Sequence, residues 1–411
     1  MTLARKPAPA AERTVHAALI GLAPIMTMAF RGVDLTPLGQ ELIARAQSDP
    51  GDADALMDLS VVLQLKQSRE LALATQAQAL ALRQLYHLPA ADGTPAIRLL
   101  AFMAPGDMMA NAPLDFLLQD SDVALDMLYL VPGMPFPPPL PVHDVAIVAV
   151  CESDANRALL RQLEALVQSS STPVLNLPAK IGQTRRENSP GLLGALAGVH
   201  VPAAARIDRG ALERVGSGEL SLAGALQGGR YPVIIRPVDA HAGHGLMKVD
   251  GSQALLNYLR AMPDPEFVLS QYVDYRSADG LFRKYRVALI GGEAYAVHMG
   301  ISEQWVIHYL NAGMTESAEK RAEEARFMQR FDDELALRHS GALRAVAERL
   351  ELDYVVIDCA ETREGKLLIF ELDTGAVVHD MDPVDLFPYK KLQMQKVFTA
   401  FRALLARAMA R

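Results

Sequence analysis

Val355–Gly375 reads VVIDCAETREGKLLIFELDTG, and its pattern decides the fold. Tyr354 to Cys359 and Lys366 to Leu372 read as two buried β-strands joined by a turn at Glu364-Gly365. Val355-Val356-Ile357 and Leu367-Leu368-Ile369-Phe370 are too apolar for an exposed hairpin. Within this apolar run stand Asp358, Glu371 and Asp373. A buried carboxylate is costly unless it is paired or binds a cation. Glu371 and Asp373 are two apart and so share one face of a strand, and Asp358 on the partner strand can join them. Three hard oxygen ligands at one sheet end suit Mg²⁺, which keeps some waters and bridges to phosphates.

Outward from that hairpin, the composition is that of a globular protein. The chain has 411 residues, 50% hydrophobic and 21% charged, enough for several structural units. With 40 basic and 48 acidic residues the net charge is −8, which disfavours a nucleic-acid or membrane-surface binder. Cys151 and Cys359 are far apart, each in an apolar run, so they read as reduced core thiols of a cytoplasmic protein. No apolar run approaches the ~18 residues of a membrane span. Ala17 to Phe30, although apolar, contains Gly21 and Pro24 and reads as a packing segment.

Five regions follow from the pattern: an arm and packing segment (1–34), an all-α helical region (35–92), a small α/β domain (93–200), and two α+β subdomains (201–275 and 276–411). In the second region, helices are expected from Thr36, from Ala53 to Lys66 and from Ser68 to about Tyr86. Asp-Pro-Gly-Asp at 49–52 breaks the first from the second. Leu56, Leu59, Ser60, Leu63, Ala72 and Ala79 stand at the spacings of a tetratricopeptide unit, a surface on which a protein or peptide could dock. From Ile97, strand–helix alternation predicts a small parallel sheet. Further on, a helix over Glu187 to Ala197, a strand over Val201 to Arg206 and a long helical stretch over Glu316 to Arg349 are expected, and Leu392 to Ala410 reads as a terminal helix.

Four more stretches carry chemistry. In YPVIIRPVDAHAGHG (231–245) an apolar strand ends in Arg236 and a loop with Gly243 and Gly245 follows. Small residues let backbone N–H groups approach phosphate oxygens, and the cation pairs with them. In VLSQYVDY (268–275) a strand leads to an acid. Such a strand offers backbone groups to an adenine, and Asp274 a carboxylate to a ribose, with Asp279 in reserve. In FRKYRV (282–287) Lys284 and Arg286 share a strand face, and Arg suits a transferring phosphoryl group. In WVIHYLNAG (305–313) the sole Trp, His308, Tyr309 and Asn311 read as a site wall.

In this order, "VP", "PVIIRP…G.G", "QYV", "YRVALIGGE", "N.G" and "ID…FELD" resemble the ATP-grasp enzymes, and among them the glutathione synthetases and the ribosomal-protein glutamate ligases. The resemblance covers about 145 to 400. It implies a small α/β pre-domain and two α+β subdomains clasping ATP. It also implies a ligase that joins a carboxylate to an amine through an acyl phosphate, the substrates being small molecules or peptides. By position, Arg236 would contact phosphates, Gln271, Tyr272 and Val273 would hold adenine, and Arg286 and Asn311 would be catalytic. Asp358, Glu371 and Asp373 would hold Mg²⁺, in two ions. The family's earlier phosphate-binding Lys falls on Glu187, for which Arg185 or Arg186 substitutes. A homodimer is expected by analogy alone. A small-molecule kinase and a non-catalytic nucleotide-binding protein are the rival readings.

Overall fold

The computed structural model describes residues 18–135, 139–240, 243–308 and 312–410. The arm at 1–14, Tyr309 and Asn311 lie outside them. Among the described residues the chain is α/β, with three sheets and helices packed against them.

The first sheet contains β1 (Leu85–Leu88), β2 (Ile97–Met103), β3 (Val123–Tyr129), β4 (Val145–Val148) and β5 (Val174–Leu175), in the order β1-β3-β2-β4-β5. β2 runs parallel to β3 and β4, and β4 parallel to β5, as strand–helix alternation requires. All four residues of β4 are buried, the mark of a parallel strand covered on both faces. The helix Arg157–Gln168 turns Leu159, Leu160 and Leu163 inward.

β1 was not expected. The helix from Arg69 stops at Leu82, and Tyr86, completely buried, lies in an antiparallel edge strand against β3. Sheet pairing there outweighs the helical periodicity that seemed to run on to Tyr86. The helices α1 (Leu22–Phe30), α2 (Thr36–Ser48), α3 (Ala53–Leu65) and α4 (Arg69–Leu82) precede it. Asp52, after the expected break, caps α3 by accepting from the Ala55 N–H at 2.9 Å. Two carboxylates, Asp58 buried and Asp115 half-buried, fix the entry to α1. Asp58 accepts from the N–H groups of Ile20 and Gly21 at 2.8 and 3.0 Å, and Asp115 accepts from Ala23 N–H at 2.6 Å.

The expected strand at 201–206 is two strands in two sheets. β6 (Val199–His200) and β7 (Ala204–Asp208) flank Pro202, which has no N–H to give a ladder. β7 joins β8 (Val233–Pro237), β9 (Met247–Val249) and β10 (Glu266–Gln271) in an antiparallel sheet ordered β7-β10-β8-β9. The helices Arg209–Ser217 and Ser252–Ala261, not among the expected elements, back this sheet and complete a core confined to 203–269. The first is capped by Asp208, which accepts from Ala211 N–H.

The third sheet is ordered β12-β11-β13-β14-β6, from β11 (Phe282–Ile290), β12 (Glu293–Ser302), β13 (Tyr354–Glu361) and β14 (Leu367–Asp373) with β6 in parallel at its edge. The β13–β14 hairpin is the one expected from the opening stretch, with Gly365 at φ +75° in its turn. The helical stretch over Glu316 to Arg349 divides into Ala318–Gln329, Leu335–Arg338 and Ser340–Leu350. The helix expected over Glu187 to Ala197 shortens to Ser189–Leu193.

The first and third sheets share one core, with the helix Lys390–Met409 packed against strands of both. Arg402 on that helix bonds Asp122 at 2.8 and 3.1 Å. Asn176, just past β5, exchanges two hydrogen bonds with the backbone of Tyr354 on β13, at 2.8 and 2.9 Å. No helix among the described residues is long and apolar enough to cross a membrane. Cys151 and Cys359 are buried free thiols, as expected.

Candidate functional site

A cleft of about 360 Å³ opens between the second and third sheets. One register line of the third sheet builds its charged floor. Arg286 on β11 faces Asp358 on β13, and Asp358 faces Glu371 on β14. Direct cross-strand partners share a face, so these side chains meet. The β11–β12 register shifts between Arg286 and Val287, and the β13–β14 register between Asp358 and Cys359. Irregularities of this kind re-aim side chains beside functional sites.

Asp358 is buried and held by two cations. Lys284 Nζ stands 2.8 Å from Oδ2, while Arg286 bonds Oδ1 through Nε at 2.8 Å and Oδ2 through Nη2 at 3.0 Å. Burial alone would push the Asp358 carboxyl up, but Arg286 and Lys284 hold it well below the usual carboxylate range. Arg186, on the loop before Ser189–Leu193, bonds Glu371. Glu371 is also held low, burial being overcome by Arg186 and then Arg236. Asp373 behaves oppositely. Burial and then the Glu371 charge push it up to about 6, although Gly375 N–H donates to it at 2.7 Å.

Arg236 comes to the same cleft from β8. Burial, and then the Arg186 charge, lower its guanidinium to about 10. One N–H group donates to Ala240 O, while Nε is buried without a partner among the described residues. A buried orphan donor on a cation is an invitation to an anion. Four cations (Arg186, Arg236, Lys284 and Arg286) thus line the cleft against three carboxylates, a balance that favours a polyanionic guest.

The other wall is apolar. Tyr272, Val273, Trp305 and Ile307 line it, with Trp305 edge-on to Tyr272 at 6.0 Å between ring centres. Lys248 Nζ lies 4.8 Å over the Tyr272 ring. Gln271 borders the cleft, but its side chain is spent on the chain before β8. It donates to Arg230 O and Pro232 O, both at 3.0 Å, and accepts from Arg230 N–H at 3.1 Å. Gly243, at φ +74°, lines the cleft under His308, where an added Cβ would stand 2.2 Å from Nε2. Gly245, at φ +62°, presses on Pro237 beside the cleft and accepts from the Tyr258 hydroxyl at 2.7 Å.

The structure therefore brings Arg236, Gly243, Gln271, Tyr272, Val273, Lys284, Arg286, Asp358, Glu371 and Asp373 to one place. It does not bring Asp274 or Arg185 there. The Asp274 carboxylate is bonded by Arg276 at 2.7 Å and by Arg363 at 3.2 Å. Arg185 is taken by Glu152 at 2.6 Å, and its neighbour Arg186 reaches the cleft instead. Asp279, the reserve acid, is held by Arg283. Asn311 cannot be placed, being outside the described residues. Met109 and Ser189 also reach the cleft from the front of the chain, and no sequence signal singled them out.

The three-carboxylate Mg²⁺ site expected from the sequence is not shown by this structure. Among the described residues no group of three or more His, Cys, Asp or Glu side chains is gathered as a metal site. The donors are chemically suitable, but Lys284 and Arg286 occupy Asp358 and Arg186 occupies Glu371, so protein cations stand where the ion was expected.

No family model matches the chain, and no curated protein does. Solved structures do. VanG D-Ala:D-Ser ligase from Enterococcus faecalis is 13% identical over 75% of this chain and 99% of its own, with a TM-score of 0.46. D-alanine–D-alanine ligase from Bacillus anthracis is 13% identical over 77% of this chain and 99% of its own, with a TM-score of 0.45. A RimK-domain ATP-grasp protein from Sphaerobacter thermophilus is 14% identical over 76% and 100%, with a TM-score of 0.40.

Proposed function

We propose that the chain is an ATP-dependent carboxylate–amine ligase of the ATP-grasp type, acting in the cytoplasm. One observation carries this: a cleft between two sheets whose one wall is aromatic and apolar and whose other wall presents Arg186, Arg236, Lys284 and Arg286. The apolar wall suits a base, with the backbone of Gln271 to Val273 at its edge. The cations suit a triphosphate chain.

In this reading a carboxylate oxygen of the acid attacks the γ-phosphorus of ATP, the bond to the β,γ-bridging oxygen breaks, and ADP leaves with the electron pair. An amine then attacks the acyl carbon, the C–N bond forms, and phosphate leaves as the amine loses its proton. Arg286 gathers the negative charge developing on the transferred group, and Asp358 fixes its guanidinium in place. Lys284 serves the same charge from one strand turn away. Arg236, with its orphan Nε, binds the phosphates. No step is assigned to a metal ion, since Lys284, Arg286 and Arg186 take two of the carboxylates that would hold one.

The test is ATP binding by calorimetry on wild type and on Arg236→Met, with and without Mg²⁺. Micromolar ATP binding that weakens about tenfold or more in the variant supports the reading, since one charge-assisted contact is worth about 1.5–3 kcal/mol. No ATP binding by wild type would refute it. Binding that strictly requires Mg²⁺ would assign Asp358, Glu371 and Asp373 to the ion.

A further inference from the structure

Beside the nucleotide cleft, where the same register line continues from Arg286 to His298 on β12, lies a second cavity of about 340 Å³. That is the size of a small ligand pocket, at the lower end of the ~300–1,000 Å³ range. Arg286 and Val377 line both cavities, so Arg286 stands in the partition between them. The roof is α1 with the end of α3: Met26, Ala29, Phe30 and Leu65. None of these belongs to the sheets that form the nucleotide cleft.

The charges in this pocket can be counted. Lys390 is buried between Asp382 Oδ2 at 2.8 Å and Glu324 Oε1 at 3.4 Å, so its charge and that of Asp382 are already answered. His379 accepts from Met381 N–H through Nδ1 at 3.2 Å, which leaves its proton on Nε2, and burial lowers it to about 4, so it is a neutral donor. His298 is likewise kept neutral by burial and then by Arg286. Arg286 spends Nε and Nη2 on Asp358, and three of its five N–H groups remain beyond those two. The Arg286 charge is likewise shared with Asp358, so the partition offers its three remaining N–H donors, and these with an apolar roof suit a carboxylate on an apolar body.

We propose that this cavity is the acid pocket of the ligase: it takes a small monocarboxylate with an apolar side chain, its carboxylate on Arg286 and its body under α1. The assignment rests on the ligase reading for its chemical meaning. It explains why the segment at 19–30 is clamped so firmly by Asp58 and Asp115, since that clamp seats the roof.

The test uses the full chain and four probes: 4-methylpentanoate, 3-phenylpropanoate and the two corresponding amides. Binding is followed by saturation-transfer NMR with and without AMP-PNP, on wild type, Ala29→Trp and the milder Ala29→Leu, with ATP affinity measured in parallel. The acids should bind at least about tenfold tighter than the amides, and Ala29→Trp should abolish acid binding while leaving ATP affinity within about twofold. Acid and amide binding alike, no acid binding to wild type, or acid binding unchanged in a folded Ala29 variant would each overturn the pocket. The wild-type comparison of acid with amide decides the matter even if both variants fail to fold. Acid binding of the expected pattern with no ATP binding would keep the pocket and overturn the ligase reading.

Discussion

Gly375→Ala is a small change aimed at the join between the first sheet and the site. An alanine Cβ there would stand 2.5 Å from the Sγ of buried Cys151 and 3.4 Å from Asp373 Oδ1. Ordinary carbon contacts lie at about 3.5–4.0 Å, so the approach to sulfur is short by about 1 Å. Neither side yields easily, because Cys151 follows β4 in the shared core and Gly375 follows β14. Overpacking of this kind costs about 1–3 kcal/mol. Cys151→Ala removes the obstructing atom and by itself costs about 1 kcal/mol, as for one buried group of methyl size. The double variant should therefore recover about 1–2 kcal/mol relative to the sum of the two single changes. Urea midpoints for the four proteins of the cycle measure this. The Gly375 N–H also orients Asp373, so ATP affinity should fall in Gly375→Ala and return in the double variant. An unchanged midpoint for Gly375→Ala, or strict additivity in the cycle, would refute the packing argument.

Three further outcomes are expected. Asp58 and Asp115 are pushed up by burial from 3.8 to about 6, so the native state holds their protons more tightly than the unfolded chain does. Stability should then fall as pH rises from about 4 to about 6, by on the order of 3 kcal/mol per group at ~1.4 kcal/mol per pKa unit, and the Asp58→Asn/Asp115→Asn double variant should lose this slope in pH-dependent unfolding. Lys390→Met strands Glu324 and Asp382 beneath the second cavity, and a loss of about 3–5 kcal/mol in urea unfolding is expected; a loss under about 1 kcal/mol would show that the triad is solvated. Asp358→Asn keeps the shape of the side chain but releases Lys284 and Arg286 from its charge, so phosphate release should drop at least about a hundredfold with the fold intact by circular dichroism.

The site was legible where its chemistry broke a local pattern. Acids in an apolar hairpin marked Asp358, Glu371 and Asp373, and the shared strand parity of Lys284 and Arg286 placed both on one face, where both meet Asp358. Partner choice was illegible. Sequence spacing does not say that Asp274 will be captured by Arg276 and Arg363, or that Arg186 rather than Arg185 will reach Glu371. The same limit applies to the metal expectation, since carboxylates at strand ends look alike whether a metal or an arginine answers them. In the fold, long apolar strands were readable, whereas β1 and β6 exist only because a neighbouring strand accepts them, and four- and two-residue runs carry no periodicity of their own. The helices Arg209–Ser217 and Ser252–Ala261 do carry apolar stripes, Leu212 with Val215 and Leu255 with Tyr258 and Leu259, but each is short and lies between strands that drew the reading.

The chain enters the second sheet at Ala203 and leaves it at Gln271, and Gln271 N–H donates to Ala203 O at 2.8 Å. Entry and exit are thus one point in space, and the core between them is closed on itself. Everything from β7 to β10 is an excursion that departs from and returns to a continuous body made by the two ends of the sequence. In genetic terms it is a cassette: 204–270 lifts out and a two-residue turn rejoins its borders, leaving half a cleft on the remaining frame.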